Sequence, residues 1–300
     1  MMKMVEYGGW AHCIKLSNAE IELIATTDVG PRIIHFGFIE GQNFFEIIED
    51  HLGKSGGKEW RPFGGHRLWH APEAVPRTYA PDNDPIEHEW DGKTLTLKQP
   101  VEASTNIEKQ IAIRLAPDKN VVHLKHRLIN RNLWDVECAP WALSVMAAGG
   151  RAIVPHEEFR PHSECLVPAR PLVLWHYTDM SDPRWIWGPK YIQLQQEKAA
   201  QNQQKAGMLN TRGWAAYALN DELFIKKYPY DAEAVYTDYG CNTELYTDPV
   251  FLEIESLGPF TKIAPGGLVE HEETWLLSRI GVGADEDEID SKVLPLVNSF

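Results

Sequence analysis

Apolar and polar residues alternate in short runs along most of this chain, and each run ends at turn-forming residues. Residues 19–26 alternate at first and then become apolar; the turn Asp28-Val29-Gly30-Pro31 follows, and residues 32–38 resume an apolar run. The spacing predicts two strands joined by a tight turn. Residues 94–99 alternate after the turn at 90–93, and residues 109–115 alternate before the turn Pro117-Asp118-Lys119-Asn120 and the run 121–129. The latter pair predicts a hairpin with one polar face. In the second half, residues 151–154, 213–219, 223–228, 251–256 and 273–278 have the same character, and residues 219–222 are expected to turn one strand into the next.

Helical periodicity is scarce. Residues 193–207 are rich in Gln, Glu, Lys and Ala but carry no apolar stripe, so they are read as a short helix or a polar loop. The tail from residue 285 is expected to form a final helical turn packed through Val293, Leu294 and Leu296. Many short strands, frequent turns and no internal repeat predict an all-β antiparallel sandwich or barrel with few short helices. It is read as one domain over residues 1–300.

Charge narrows the ligand more than the fold. The chain has 43 acidic against 29 basic side chains, a net charge of −14. Such a surface repels phosphate backbones, and no basic run offsets it, so nucleic acid is excluded as a partner. The four cysteines, Cys13, Cys138, Cys165 and Cys241, form no CxxC pair and are read as free, mostly buried thiols. The first ten residues contain no apolar segment of a secretory leader, and no stretch approaches a membrane span, so the expected compartment is the cytoplasm.

Three segments carry candidate chemistry. Pro62-Phe63-Gly64-Gly65-His66-Arg67-Leu68-Trp69-His70-Ala71-Pro72-Glu73 combines two glycines, which let a backbone approach a ligand, with hydrogen-bonding, cationic and flat aromatic groups. A polyhydroxylated ring needs that mixture: donors and acceptors for its hydroxyls, an aromatic plate for its apolar face. The alternative is a loop anchored in the core by Leu68 and Trp69. Glu253 and Glu255 alternate with apolar residues and so share one strand face. Close, desolvated carboxyl groups raise each other's pKa toward that of a general base at neutral pH; the alternative is a solvated outer face. The third segment, residues 238–246, is either a plain loop or the carrier of Asn242 and Glu244 into the same cleft.

Together the Gly-Gly-His-Arg-Leu-Trp block, the strand at 252–259, the closing segment 263–275 and the opening Gly30-Pro31-Arg32-Ile33 resemble the galactose-mutarotase-like superfamily, in particular its aldose-1-epimerase-related branches. The resemblance implies an antiparallel supersandwich with a sugar on a concave face. It implies a strand Glu as base on the anomeric hydroxyl, Glu255 ahead of Glu253, and His66 as acid on the ring oxygen. Arg32, Arg67, Trp69, His70, Glu73, His156, Asn242 and Glu244 would then contact the sugar. The second histidine block of mutarotases corresponds here to Leu128-Ile129-Asn130-Arg131-Asn132-Leu133-Trp134-Asp135, which has no His; His156 and His162, later in the chain, are the candidates to substitute for it.

The expected function is aldose-1-epimerase-like acid/base chemistry on a sugar or sugar derivative. It requires no cofactor and no metal, and the protein would act as a monomer or homodimer. Two alternatives use the same fold: a sugar-binding protein without turnover, and a metal-dependent sugar enzyme with His66 and His70 joined by Glu73 or His156 as ligands.

Overall fold

In the computed structural model, which describes residues 1–300, two antiparallel sheets of 11 and 10 strands share one apolar core. The centre of the larger sheet runs, in spatial order, Arg32–Phe38, His66–Ala71, Val136–Met146, Leu252–Leu257, Thr243–Thr247 and Gln204–Met208. The centre of the smaller sheet is Arg151–Pro155, Trp214–Leu219, Glu222–Lys227, Leu268–Ser278, Val121–Asn130 and Ile107–Leu115. Sandwiches need inward residues at every second position. Ile107–Leu115 supplies them with Ile107, Ile111 and Ile113, all buried in the shared core, while Glu108, Gln110 and Ala112 are only half-buried. No helix is long and apolar enough to cross a membrane.

The predicted pairings are present. Ile21–Thr26 lies against Arg32–Phe38, and Ile107–Leu115 forms the hairpin with Val121–Asn130. Trp214–Leu219 turns into Glu222–Lys227 through Asn220, whose φ of 53° is the left-handed conformation that Asn tolerates.

The chain departs from the pattern reading at three places. Residues 193–207 contain no helix; they are the end of the strand Tyr191–Gln195, a connection, and the strand Gln204–Met208. Residues 64–73 are mostly strand, His66–Ala71, and not a loop. Both strands are buried or nearly so on both faces, so neither shows the one-sided polarity that marks a half-exposed strand. The tail is a full helix, Glu286–Val297. The Asp285 side chain caps it by accepting from the N–H groups of Asp287 and Glu288, and Ile289, Val293 and Val297 line its buried face. That face covers the outer side of the smaller sheet at Ile153, Trp214 and Ile225; Leu294 and Leu296 are only partly buried.

Candidate functional site

Alternation sends the side chains of the central strands to two different places. Arg67 and Trp69 leave one face of His66–Ala71; His66, Leu68 and His70 leave the other. The strand register then assembles a row on each side. On the outer face, Arg67 lies opposite Leu143, Leu143 opposite Glu255, and Glu255 opposite Glu244. One step along, Val145 faces Glu253, Glu253 faces Tyr246, and Tyr246 faces Lys205.

These outer-face side chains form the floor of a cavity of about 240 Å³. Trp60, Trp69, Tyr79, Trp141, Tyr177 and Tyr246 supply aromatic walls, and Arg67, Lys205, Glu73 and Glu253 the charged groups. Trp69 packs against Trp60, Tyr79 and Trp141 with ring centroids 5.2–5.5 Å apart. The Arg67 guanidinium stacks 4.3 Å from the Trp69 ring and donates to Glu253 Oε1 at 3.2 Å. Lys205 Nζ pairs with Glu244 at 2.7 Å and Glu255 at 3.1 Å, between the rings of Trp141 and Trp175. Trp141 Nε1 also donates to Glu255 Oε2 at 2.8 Å.

Burial sets the proton affinities. It pushes Glu253 up to about 7; Arg67 opposes the shift and the nearby Glu255 adds to it. Burial also pushes Glu244 well above the carboxylate range against the pull of Lys205. For Lys205, burial alone would lower the pKa, but the carboxylates of Glu244 and Glu255 outweigh it and hold it well above its ordinary value. Arg67 Nε, Glu244 Oε1 and Glu255 Oε1 are buried without a protein partner. The cleft can therefore accept and donate protons near neutrality and offers flat apolar surfaces beside charged hydrogen-bonding groups.

The inner face carries a different cluster. His126 Nδ1 lies 3.0 Å from the His271 carbonyl oxygen, which can only accept, so that nitrogen bears the proton. His126 Nε2 then accepts from His66 Nε2–H at 2.7 Å, and His66 Nδ1 accepts from the Ser144 hydroxyl at 2.9 Å. Ser256 donates to Glu273 at 2.5 Å and accepts from His271 Nε2 at 2.7 Å. Lys226 Nζ sits 2.8 Å from the same carboxylate. Burial lowers the pKa of His66, His126 and His271, the last to about 3, so all three imidazoles are neutral at pH 7. For Glu273, burial works the other way, but Lys226 and, after it, the surrounding imidazoles together outweigh it and keep the carboxylate ionised.

His66, His126 and Glu273 are also the grouping nearest to a metal-ligand set. Two zinc–nitrogen bonds at a tetrahedral angle hold their nitrogens about 3.3 Å apart. The 2.7 Å between the two Nε2 atoms is a hydrogen bond, and Lys226 already neutralises the carboxylate.

The expected site residues therefore separate. Arg67, Trp69, Glu73 and Glu253 line the cleft, with Glu255 and Glu244 buried beside it around Lys205. His66 must be moved out of the cleft: the strand pleat turns it into the core. His70 lies on that same side, bonded to Glu102 and Arg77 and remote from His66, so the two cannot share a metal with Glu73. His156 bonds Arg170 beside a separate cavity lined by Lys190 and Arg212. Arg32 is fully buried and pairs with Asp82 at 2.5 Å, and its other arm holds the Gly64 carbonyl. Asn242 clips the backbone of Asn210 through both side-chain atoms. Gly64, which lines the cleft, and Gly65 are required by the adjacent backbone: both have positive φ, and a Cβ would meet the carbonyl oxygens of Glu46 and Ile33 at 2.2 and 2.3 Å.

Lys205, Trp60, Tyr79, Trp141, Tyr177 and Tyr246 were not picked out by motif. Lys205 sits in the segment read as helix or loop, and Trp141 in an apolar run indistinguishable from core. The absence of any apolar stripe in 193–207 was the one available signal against a helix there.

No protein-family model matches the chain, and no curated protein matches it. Solved structures do. A galactose mutarotase-like protein from Lactobacillus casei superposes with a TM-score of 0.55 at 9% identity, over 89% of this chain and 100% of that one. A candidate aldose 1-epimerase from Klebsiella pneumoniae gives 0.55 at 11% identity, over 98% and 86%. A TPR-domain containing protein from Parabacteroides distasonis gives 0.60 at 13% identity over 90% of this chain, which spans 48% of that longer protein. At these identities the likeness is one of fold, and the fold is the galactose-mutarotase-like β-sandwich.

Proposed function

We propose that residues 1–300 act as one carbohydrate-handling unit, and that the outer-face cleft binds a sugar or sugar derivative and interconverts its anomers, as an aldose 1-epimerase would. The observation that carries this reading is Glu253: a cleft-lining carboxyl, flanked by Arg67 and by aromatic plates, with its pKa raised to about 7. A group poised there accepts and returns a proton at neutral pH. Glu253 takes the proton of the anomeric hydroxyl while the Lys205 ammonium gives one to the ring oxygen, and the C1–O5 bond opens to the aldehyde. Rotation about C1–C2 and closure by the reverse transfers give the other anomer. Lys205 is the cationic donor on the opposite side of Tyr246 that supports charge on the ring oxygen. Trp69 and Trp141 supply plates for the apolar ring face.

One observation favours a second reading, sugar binding without turnover: the cleft lining contains no histidine, because His66 is turned into the core. NMR exchange spectroscopy on a panel of aldoses, paired with calorimetry, separates the two. The epimerase reading predicts anomer exchange faster than the buffer rate, rising with pH through about 7. Calorimetric binding without acceleration selects the binding protein, and neither binding nor acceleration would defeat both.

A further inference from the structure

The cleft does not end at Trp141. A second cavity of about 370 Å³ adjoins it, lined by Glu73, Ala74, Val75, Trp141, Trp175, Asp238 and Glu244. Glu73 and Trp141 belong to both. Alone, the first cavity is smaller than the roughly 300–1,000 Å³ common for small-molecule sites; with its neighbour it falls within that range.

The inner wall of this second cavity is built into the sheet. Glu244 is 1% exposed, and Lys205 engages its Oε2 at 2.7 Å, yet its Oε1 has no partner. A buried carboxyl oxygen left so is costly unless something donates to it. Directly opposite Glu244 in the sheet register stands Gly207. A Cβ at that position would meet the Trp175 ring at 3.2 Å and Cys241 Sγ at 2.6 Å. The strand thus omits a side chain where the Trp175 ring lies, and that ring is fixed from its other contact by Lys205, 4.7 Å from its centroid.

The chemistry of the lining is one-sided. Three carboxyl groups, Glu73, Asp238 and Glu244, face it beside two indole rings, and no Lys or Arg lines it. Such a wall asks for O–H or N–H donors on a flat, partly apolar body, and it repels anions. We propose that this cavity is a second subsite of the same cleft. It takes a second sugar ring, neutral or amine-bearing, linked to the sugar held at Arg67 and Glu253. Trp175 is its plate, Asp238 is an acceptor, and Glu244 Oε1 hydrogen-bonds a ring hydroxyl, which can donate or accept. The inference rests on the reading of the first cavity as a sugar site. A reducing disaccharide keeps its free anomeric hydroxyl in the first cavity, so both rings are accommodated without disturbing the proton transfer.

Isothermal calorimetry on the full chain tests this, with glucose and galactose set against reducing disaccharides that end in each. A disaccharide whose other ring is a uronic acid reports on charge. The expected result is at least one neutral disaccharide binding tenfold or more tightly than its reducing monosaccharide, with the uronic-acid disaccharide weaker than the neutral one. In Trp175→Ala the disaccharide-to-monosaccharide affinity ratio falls to about one. In Asp238→Asn the discrimination against the uronic acid shrinks. Monosaccharides binding as well as every disaccharide would overturn the second subsite and leave the sugar reading standing, as would an unchanged ratio in Trp175→Ala. No binding of either class would defeat the sugar reading, and the subsite with it.

Discussion

The strands His66–Ala71, Val136–Met146 and Leu252–Leu257 carry polar groups on both faces, and the two faces solve the problem of buried charge differently. Inside, Lys226 balances Glu273, and three neutral histidines and two serines form a chain of hydrogen bonds in which nearly every donor finds an acceptor. Only His271 Nδ1 is left over. Outside, two cations serve three carboxyl groups, and Arg67, Glu244 and Glu255 each keep an unpartnered polar atom beside a cavity. A satisfied network specifies a core; an unsatisfied one beside open space has capacity for a ligand. If the proposed cleft is the site, histidine content is a poor guide to it. The histidines are where the protons are immobile.

The largest test of the contrast is acid. The folded pKa of His271 is about 3, below the unfolded value near 6.5, so the unfolded chain binds more protons between those limits. Stability therefore falls as pH drops below about 6.5. At about 1.4 kcal/mol per pH unit, His271 alone contributes a loss of roughly 3 kcal/mol by pH 4, and His66 and His126 add to it. Glu253, between about 4.5 and 7, and Glu244 act in the opposite sense, because burial raises their folded pKa, but the three interior histidines outnumber them. Urea midpoints from pH 7 to 4 should decline steadily; a flat profile would mean the interior histidines are not held neutral.

Next in size is Lys226→Met. It strands the Glu273 carboxylate in the core and should cost about 3–5 kcal/mol in urea unfolding. Arg67→Met breaks a cleft ion pair of similar burial but should cost under about 2 kcal/mol, since Glu253 is already poised to take up a proton. Equal losses would erase the distinction between the faces. The same Arg67→Met change removes the main charge opposing the Glu253 shift. Its carboxyl, followed by carbon-13 NMR titration, should move up from about 7 by about one unit. A downward move would show that Arg67 does not govern it. The smallest effect, about 1 kcal/mol, is expected for Asp285→Ala, which uncaps the terminal helix and should alter neither the acid slope nor the Glu253 titration.

Much of this was legible in the sequence, for identifiable reasons. Half-exposed strands such as Ile107–Leu115 announce themselves because solvent makes one face polar. Glu253 and Glu255 share the outer face because a two-residue spacing allows nothing else in a strand. What escaped was set by partners distant in sequence. Lys205 has meaning only beside Glu244 and Glu255, and its strand hides in a Gln- and Ala-rich segment with helical composition. His66 escaped for the converse reason. In a loop, His66 and Arg67 could face one ligand; in the strand His66–Ala71 the pleat forces them apart.

The central claim, that the chemistry belongs to the outer face and Glu253 is its proposed base, is tested most directly by anomer exchange in two variants measured side by side. Glu253→Gln should lose a hundredfold or more of the enzyme-dependent rate while unfolding near the wild-type urea midpoint. His66→Gln should keep the rate and lose stability, because it disrupts the bonds to Ser144 and His126. A wild-type rate in Glu253→Gln, or a folded His66→Gln protein without exchange, would contradict the account.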